Sequence, residues 1–155
     1  MQSSHRQSTP QGSDLIRFFE GFSPIVYICA AGVKTVGYGH ALKRGEDERF
    51  KNGITEPEAL ELLKKDMMEA EIAVSRLIKV PLEDCQFDAL VSFVYNLGSG
   101  ALQRSSLRSK LNRGEYYDAS LEFDKWVWGG GRKLPGLIRR RRTERILFTT
   151  GVLLL

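Results

Sequence analysis

The stretch Phe19–His40 reads FEGFSPIVYICAAGVKTVGYGH. It places one acid (Glu20), one thiol (Cys29) and one threonine (Thr35) in an apolar, Gly-rich setting where Lys34 is the only other charged side chain besides His40. The pieces IVYI, VKTVGY and HAL are β-prone and are separated by AAG and GYG. This pattern predicts a small twisted hairpin or three-stranded sheet between residues 25 and 42.

Upstream, Ser13 reads as a helix cap, Asp14 suits the positive helix end, and Leu15, Ile16, Phe18 and Phe19 supply apolar surface. Gly21 closes this short helix and leaves Glu20 on its last turn. The leading MQSSHRQSTPQGS has no apolar core and does not read as a signal peptide. Residues 1–12 read as a disordered or non-native lead, and residues 13–155 as one domain.

Downstream, KRGEDERFKNG (43–53) reads as a charged loop. Thr55, Pro57 and Glu58 make a capping box, and an uninterrupted helix follows to Lys79, stopped by Pro81. Leu60, Leu63, Met67, Ala70, Val74 and Leu77 recur at helical spacing, and the Met67–Met68 pair reads as core filler. EDCQFDALVSFVYNLG (83–98) is an apolar helix ending at Gly98, with Phe87, Leu90, Val91, Val94 and Tyr95 as the centre of a helical lobe. Shorter helices are expected at about 105–113 and 115–126. WGGGRKLPG (128–136) reads as a loop, and a last helix begins near Leu137. Strands confined to the N-terminal part and helices elsewhere make the fold class α+β.

The chain has 155 residues, 42% hydrophobic and 27% charged, with a formal net charge of +4. That is one ordinarily globular domain with a mild basic excess. The excess suits a polyanion, whether nucleic acid, anionic lipid or an acidic cell-wall polymer, without choosing among them. Two cysteines, Cys29 and Cys85, are too few for a disulfide scaffold and read as free thiols. No run reaches the ~18–20 apolar residues that span a bilayer.

Glu20 is the first candidate for chemistry. Flanking phenylalanines predict a water-poor pocket, and such a pocket keeps a carboxyl protonated, as a general acid requires. Taken alone, Cys29 reads as a small buried hydrophobe and Thr35 as a β-former. With His5 and His40 the only histidines, no zinc site is expected. GYGH lacks the lysine and the helix of a phosphate loop. The run Arg139–Arg142 points in four directions on a helix, so a mixture of surface charge and buried pairing is expected rather than a DNA-binding stripe.

Glu20, eight residues, Cys29, five residues, Thr35, then VGYGH, resembles the phage-type lysozymes of glycoside hydrolase family 24. QFDALVSFVYNLGSGA (86–101), KWVWGGGRKLPGL (125–137) and RRRTERILF (140–148) extend the resemblance over about residues 13–150. The resemblance implies a lysozyme-like α+β fold with an N-terminal lobe at about 13–54, a connecting helix at about 55–79 and a helical lobe at about 80–150, with a cleft between the lobes. It implies an endolysin that cleaves the β-1,4 bond between N-acetylmuramic acid and N-acetylglucosamine in peptidoglycan, without cofactor or metal.

Carried over, Glu20 is the general acid. Cys29 stands where the family often has Asp, supporting water or the developing positive sugar, and Thr35 helps place that water. Tyr38, Gly39, Asn96 and Arg140 fall at substrate-lining positions, Arg140 where a family arginine pairs with the catalytic Glu. His40 falls at a supporting position. A lytic transglycosylase on the same bond, or a non-catalytic basic module that binds cell wall or nucleic acid, are the competing readings. The implied partner is the peptidoglycan glycan strand, with no nucleic acid and no membrane insertion, and the implied state is a monomer. The enzyme would be made in the bacterial cytoplasm and act in the periplasm, released through a holin pore or by an N-terminal export anchor.

Overall fold

The computed structural model describes residues 5–155. In chain order the elements are α1 (Pro10–Glu20), β1 (Ser23–Ile28), β2 (Lys34–Gly37), β3 (His40–Ala41), α2 (Glu46–Phe50), α3 (Glu56–Leu77), α4 (Asp84–Leu97), α5 (Ser99–Gln103), α6 (Ser106–Asn112), α7 (Tyr116–Glu122), a 3-10 turn (Phe123–Lys125), β4 (Trp128–Gly129), β5 (Arg132–Lys133) and α8 (Pro135–Thr150).

The N-terminal segment is more ordered than its composition suggests. Residues 1–4 of the expected lead lie outside the described residues, but α1 already begins at Pro10. Pro10 fits the first turn, where its missing N–H costs nothing. Thr9, at the cap position, turns its side chain away from its own helix. Its N–H donates to Asp88 Oδ1 at 2.8 Å and its hydroxyl to Asp88 Oδ2. Ser8 N–H donates to Glu71 at 2.7 Å, and His5 meets the same carboxylate at 3.1 Å. These bonds strap residues 5–9 across α3 and α4. Gly12 lets α1 lie close on α4, since a Cβ there would stand 2.9 Å from Asp88 Oδ1. The helix expected with the small lobe therefore packs on α4.

The sheet follows the sequence reading. Its order is β1-β2-β3, antiparallel, with Tyr27 opposite Thr35 and Val36 opposite His40. The expected loop at 43–53 contains α2, whose Phe50 is buried under the sheet edge. Thr55 and Glu58 close the capping box of α3.

Leu63, Met67, Ala70, Val74 and Leu77 form the buried stripe of α3, while Leu60 and Met68 are each 38% exposed. Leu60 sits at the stripe's edge and Met68 beyond it, so only Met67 of the methionine pair fills core. The helix stops at Leu77, short of Pro81. Asn112 sets this end, accepting from Lys79 N–H at 2.7 Å and donating to Leu77 C=O at 2.9 Å.

Helix α4 is the hub, packed against α1, α3, α5 and α8. Phe87, Ala89, Leu90, Val91, Phe93 and Val94 are buried around nearly its whole circumference, as a central helix requires. Phe93, Phe123, Trp126 and Phe148 form an aromatic cluster beneath it, with centroids 5.5–5.7 Å apart. The loop expected at 128–136 holds the two-stranded β4–β5 ladder, and α8 starts at Pro135 rather than Leu137. The short α5 was also not expected. Among the described residues no helix is long and apolar enough to cross a membrane.

Buried His40 ties the sheet to the helices. Its Nδ1 is 2.7 Å from Asp66 on α3 and its Nε2 is 2.9 Å from Glu46 on α2. The Asp66 hydrogen bond raises the imidazole pKa, burial opposes it, and Glu46 adds to the rise. A raised folded pKa means a contribution that is complete below the unfolded value of about 6.5 and is lost as pH climbs through the folded value. The melting-temperature advantage of wild type over His40→Asn should therefore be largest near pH ~5.5 and shrink as pH rises. Thermal melts from mildly acidic to mildly alkaline pH test this, and an advantage that grows with pH contradicts it.

Candidate active site

Glu20 ends α1, and Gly21 caps the helix by donating to Arg17 C=O at 3.0 Å. The carboxylate is divided between two neighbours. Oε2 accepts from Arg140 Nη1 at 2.5 Å. Oε1 lies against Gly39, where a Cβ would approach it to 2.5 Å. Gly39 has φ 76°, so glycine serves both the backbone and the space for the acid.

The apolar pocket expected around Glu20 is not what forms. Phe18 is 57% exposed and Phe22 also faces solvent. The nearest strong neighbour is Arg140, with the Phe19 ring 5.7 Å from its guanidinium carbon. Arg140 is itself buried and donates through Nη2 to Ser92 C=O at 3.3 Å. Of the four consecutive arginines, Arg140 is the one that faces Glu20. Arg141 is buried against Glu144, and Arg139 and Arg142 are exposed. The mixture of buried pairing and surface charge expected of this run is what the helix carries.

Cys29 follows β1 at the start of a tight turn. Its N–H donates to Val33 C=O at 2.9 Å, and Gly32 N–H donates to its carbonyl at 2.8 Å. Cys29 and Cys85 are both free thiols. The half-buried Cys29 thiol has its pKa lowered, first by the Val33 N–H, then by the Ala31 N–H and the Thr35 hydroxyl, all of which favour the thiolate. Thr35 is buried on β2, and its hydroxyl donates to Val33 C=O at 2.9 Å. A hydroxyl has one proton, so Thr35 serves Val33 or the thiolate, not both at once.

Tyr38 does not line the groove with its ring. The side chain is buried, its hydroxyl donates to Glu56 at 3.0 Å, and Arg17 reaches it at 3.4 Å. Only its backbone faces the site, with its carbonyl accepting from Tyr95 Oη at 2.7 Å. Asn96, half-buried on α4, accepts from Arg141 Nη2 at 2.7 Å. His40 is held in its two-carboxylate clamp beside Gly39.

Sequence reasoning missed Tyr27. Burial raises its phenol pKa first, and the charges of Glu20 and Cys29 raise it further, so this ring stands near both. The strand period carried the signal: residues 27 and 29 share a face, and the ladder puts Thr35 opposite Tyr27. Gly39 also opens a groove of about 400 Å³, lined by His40, Ala41, Asp66, Tyr95 and Ser99 among others. Glu20 thus lies at the edge of a concavity large enough for a sugar-sized group.

Two outcomes test this geometry. Gly39→Ala should lower unfolding free energy by about 1–2 kcal/mol in urea titration, because the methyl meets both a positive φ and the Glu20 carboxylate. A change below a few tenths would contradict it. In a Cys85→Ser background, the pH midpoint for alkylation of Cys29 should lie below that of a free thiol. Thr35→Val should move that midpoint up, and an unchanged midpoint contradicts the hydroxyl's part.

The comparisons with known proteins agree with one another. The phage lysozyme family model matches residues 17–144. The endolysin of Bacillus phage B103 is 44% identical over 90% of this chain, which spans 53% of that protein's length. The endolysin of Acyrthosiphon pisum secondary endosymbiont phage 1 is 40% identical over 91% of this chain and 97% of its own length. The endolysin structure from Escherichia coli O157:H7 phage FAHEc1 superposes with a TM-score of 0.83 at 32% identity, covering 99% of this chain and 100% of that one. The family match spans most of the chain, the endolysin structure superposes over nearly all of it, and the chain belongs to the phage lysozyme family.

Proposed function

We propose that the chain is a peptidoglycan-degrading endolysin that hydrolyses the β-1,4 bond between N-acetylmuramic acid and N-acetylglucosamine. The observation that carries this reading is the division of the Glu20 carboxylate, with Oε2 on Arg140 and Oε1 against Gly39 beside the groove. In the reaction, Oε1 gives its proton to the glycosidic oxygen as the bond from that oxygen to the sugar C1 breaks. Arg140 keeps the carboxyl in place and receives it as a carboxylate once the proton has left. A water oxygen bonds to C1, and its proton passes to the Cys29 thiolate sulfur. A thiolate at Cys29 supplies the negative charge that stabilises the positive sugar, and Thr35 offers acceptor lone pairs to the water. Tyr38 serves as support, with its backbone and Gly39 shaping the wall. Asn96 lines the substrate path.

The lobes expected at about 13–54 and 80–150, joined by α3, form the two banks of the groove, with α1 riding on the larger one. In the cell, the protein is made in the cytoplasm and acts as a monomer on glycan strands in the periplasm. It arrives there through a holin pore or by an N-terminal export anchor.

Glu20→Gln should lower clearing of outer-membrane-permeabilised cells by roughly 10²–10⁴-fold, the usual worth of a positioned acid. Near-normal clearing by that variant would remove Glu20 from the mechanism. Cys29→Asp should stay active and Cys29→Ala should lose most activity. Mass spectrometry of the released muropeptides should show reducing ends, whereas anhydro-sugars would make the enzyme a transglycosylase.

A further inference from the structure

Arg141 touches none of the groups in the chemistry proposed for Glu20, yet it and Glu144 are fully buried, and Glu144 also lies 3.5 Å from Arg140 Nε. Ion pairs this deep are held against a large desolvation cost, and an apolar pair would often serve stability as well. Arg141 Nε lies 2.9 Å from Glu144 Oε1, and its guanidinium carbon is 5.3 Å from the Phe93 ring centroid. Glu144 Oε2 accepts from Ser92 Oγ at 2.6 Å and from Arg141 Nη2 at 3.3 Å. Arg141 Nη2 also donates to Asn96 Oδ1 at 2.7 Å.

The chemistry of arginine makes the last contact directional. A guanidinium has only donors, so the amide atom facing it must be the carbonyl oxygen. The Asn96 NH₂ is thereby turned the other way. Among the described residues Nδ2 makes no hydrogen bond within the protein, and it is not one of the buried unpaired atoms. Asn96 stands one helical turn beyond Ser92 on α4, on the same face. Ser92 holds Arg140, and Arg140 holds Glu20. The outward amide hydrogens therefore lie one turn along α4 from the serine that holds the candidate acid's arginine partner.

We infer that Arg141 and Glu144 are positioning residues that lock the Asn96 amide, so that Nδ2 donates to the acetamido carbonyl of an N-acetylated sugar bound beside Glu20. The inference rests on the glycan-hydrolase reading above. The substrate group fits because a donor selects a carbonyl oxygen and rejects the ammonium of a de-N-acetylated sugar. Arg141 acts only through Asn96 and touches no reacting atom.

The decisive variant is Asn96→Asp. It keeps an acceptor for Arg141 and removes the outward donor, so the fold should be retained. With defined N-acetylated glycan fragments, its KM should rise about three- to tenfold, the worth of one hydrogen bond, with kcat nearly unchanged. Arg141→Met combined with Glu144→Gln removes the anchor and leaves an acceptor for Ser92 and Arg140. It should raise KM by a similar factor, and adding Asn96→Asp should bring little further rise. On de-N-acetylated fragments the order should reverse, because the aspartate carboxylate accepts from the ammonium that the amide donor opposes. A wild-type KM for folded Asn96→Asp, or fully additive effects, would overturn the inference. Inactivity of Glu20→Gln alongside an unchanged Asn96→Asp would sink this inference alone, whereas full activity of Glu20→Gln would sink the reading beneath it.

Discussion

The Arg140–Glu20 pair joins side chains 120 residues apart in sequence. It connects the end of the first helix to the first turns of the last one, and the structure around it is arranged to make it affordable. Arg140 is almost wholly out of water, so its charge must be met locally. Glu20 meets it at one end, Ser92 at the other, and Glu144 lies within 3.5 Å of its Nε. Removing one partner from such a buried set typically costs about 3–5 kcal/mol, because a charge is left stranded. The same geometry explains why α8 can be so arginine-rich and still pack tightly on α4. Two of its five guanidiniums are core groups with dedicated acceptors, Arg139 and Arg142 are solvated, and Arg145 pairs with Asp124 at 3.1 Å.

A second constraint comes from the hairpin side. Gly39 has to be backbone only, because Glu20 occupies the space where a Cβ would go. The turn at Cys29–Val33 directs N–H groups at the thiol, and those N–H groups move it toward the thiolate. The family often has a carboxylate at this position, which is charged at neutral pH without help. Here the backbone supplies part of what the side chain lacks. Thr35 adds a proton that can be shared with Val33, so the charge on sulfur and the orientation of the threonine hydroxyl are linked.

Much of this was legible in the sequence, because it depends on local chemistry. The capping box at Thr55, the glycines after α1 and α4, and the β-prone pieces broken by AAG and GYG are decided by neighbours within four residues. Short local elements were missed, such as α2 and the β4–β5 ladder, but the readings that bear on the site changed because of distant partners. Thr9 caps nothing in its own helix and gains its order from Asp88, 79 residues away. Leu77 ends α3 because Asn112 takes its carbonyl. The apolar pocket inferred around Glu20 came from its sequence neighbours, but the neighbour that matters is Arg140. The resemblance placed Tyr38 at the groove wall without saying which of its atoms face it; its hydroxyl goes to Glu56, leaving the backbone on the site side. Spacing brought Glu20, Cys29 and Thr35 into one candidate site; it could not say which atoms of their surroundings carry charge.

The basic character of the chain also becomes more specific. Arg140 and Arg141 are matched by Glu20 and Glu144 inside the fold, so these four cancel and contribute nothing to the outside field. The net charge of +4 therefore belongs to the remaining side chains, most of them solvent-facing. Exposed charges act at a distance but are screened within about 8–10 Å at ordinary ionic strength. Such charges favour approach to a polyanion without selecting one. In the buried set salt has little reach, and hydrogen-bond direction is fixed by Arg140 and Arg141. The arginine run thus divides by depth: exposed members contribute to the outside field, and buried ones set the orientation of Glu20 and Asn96.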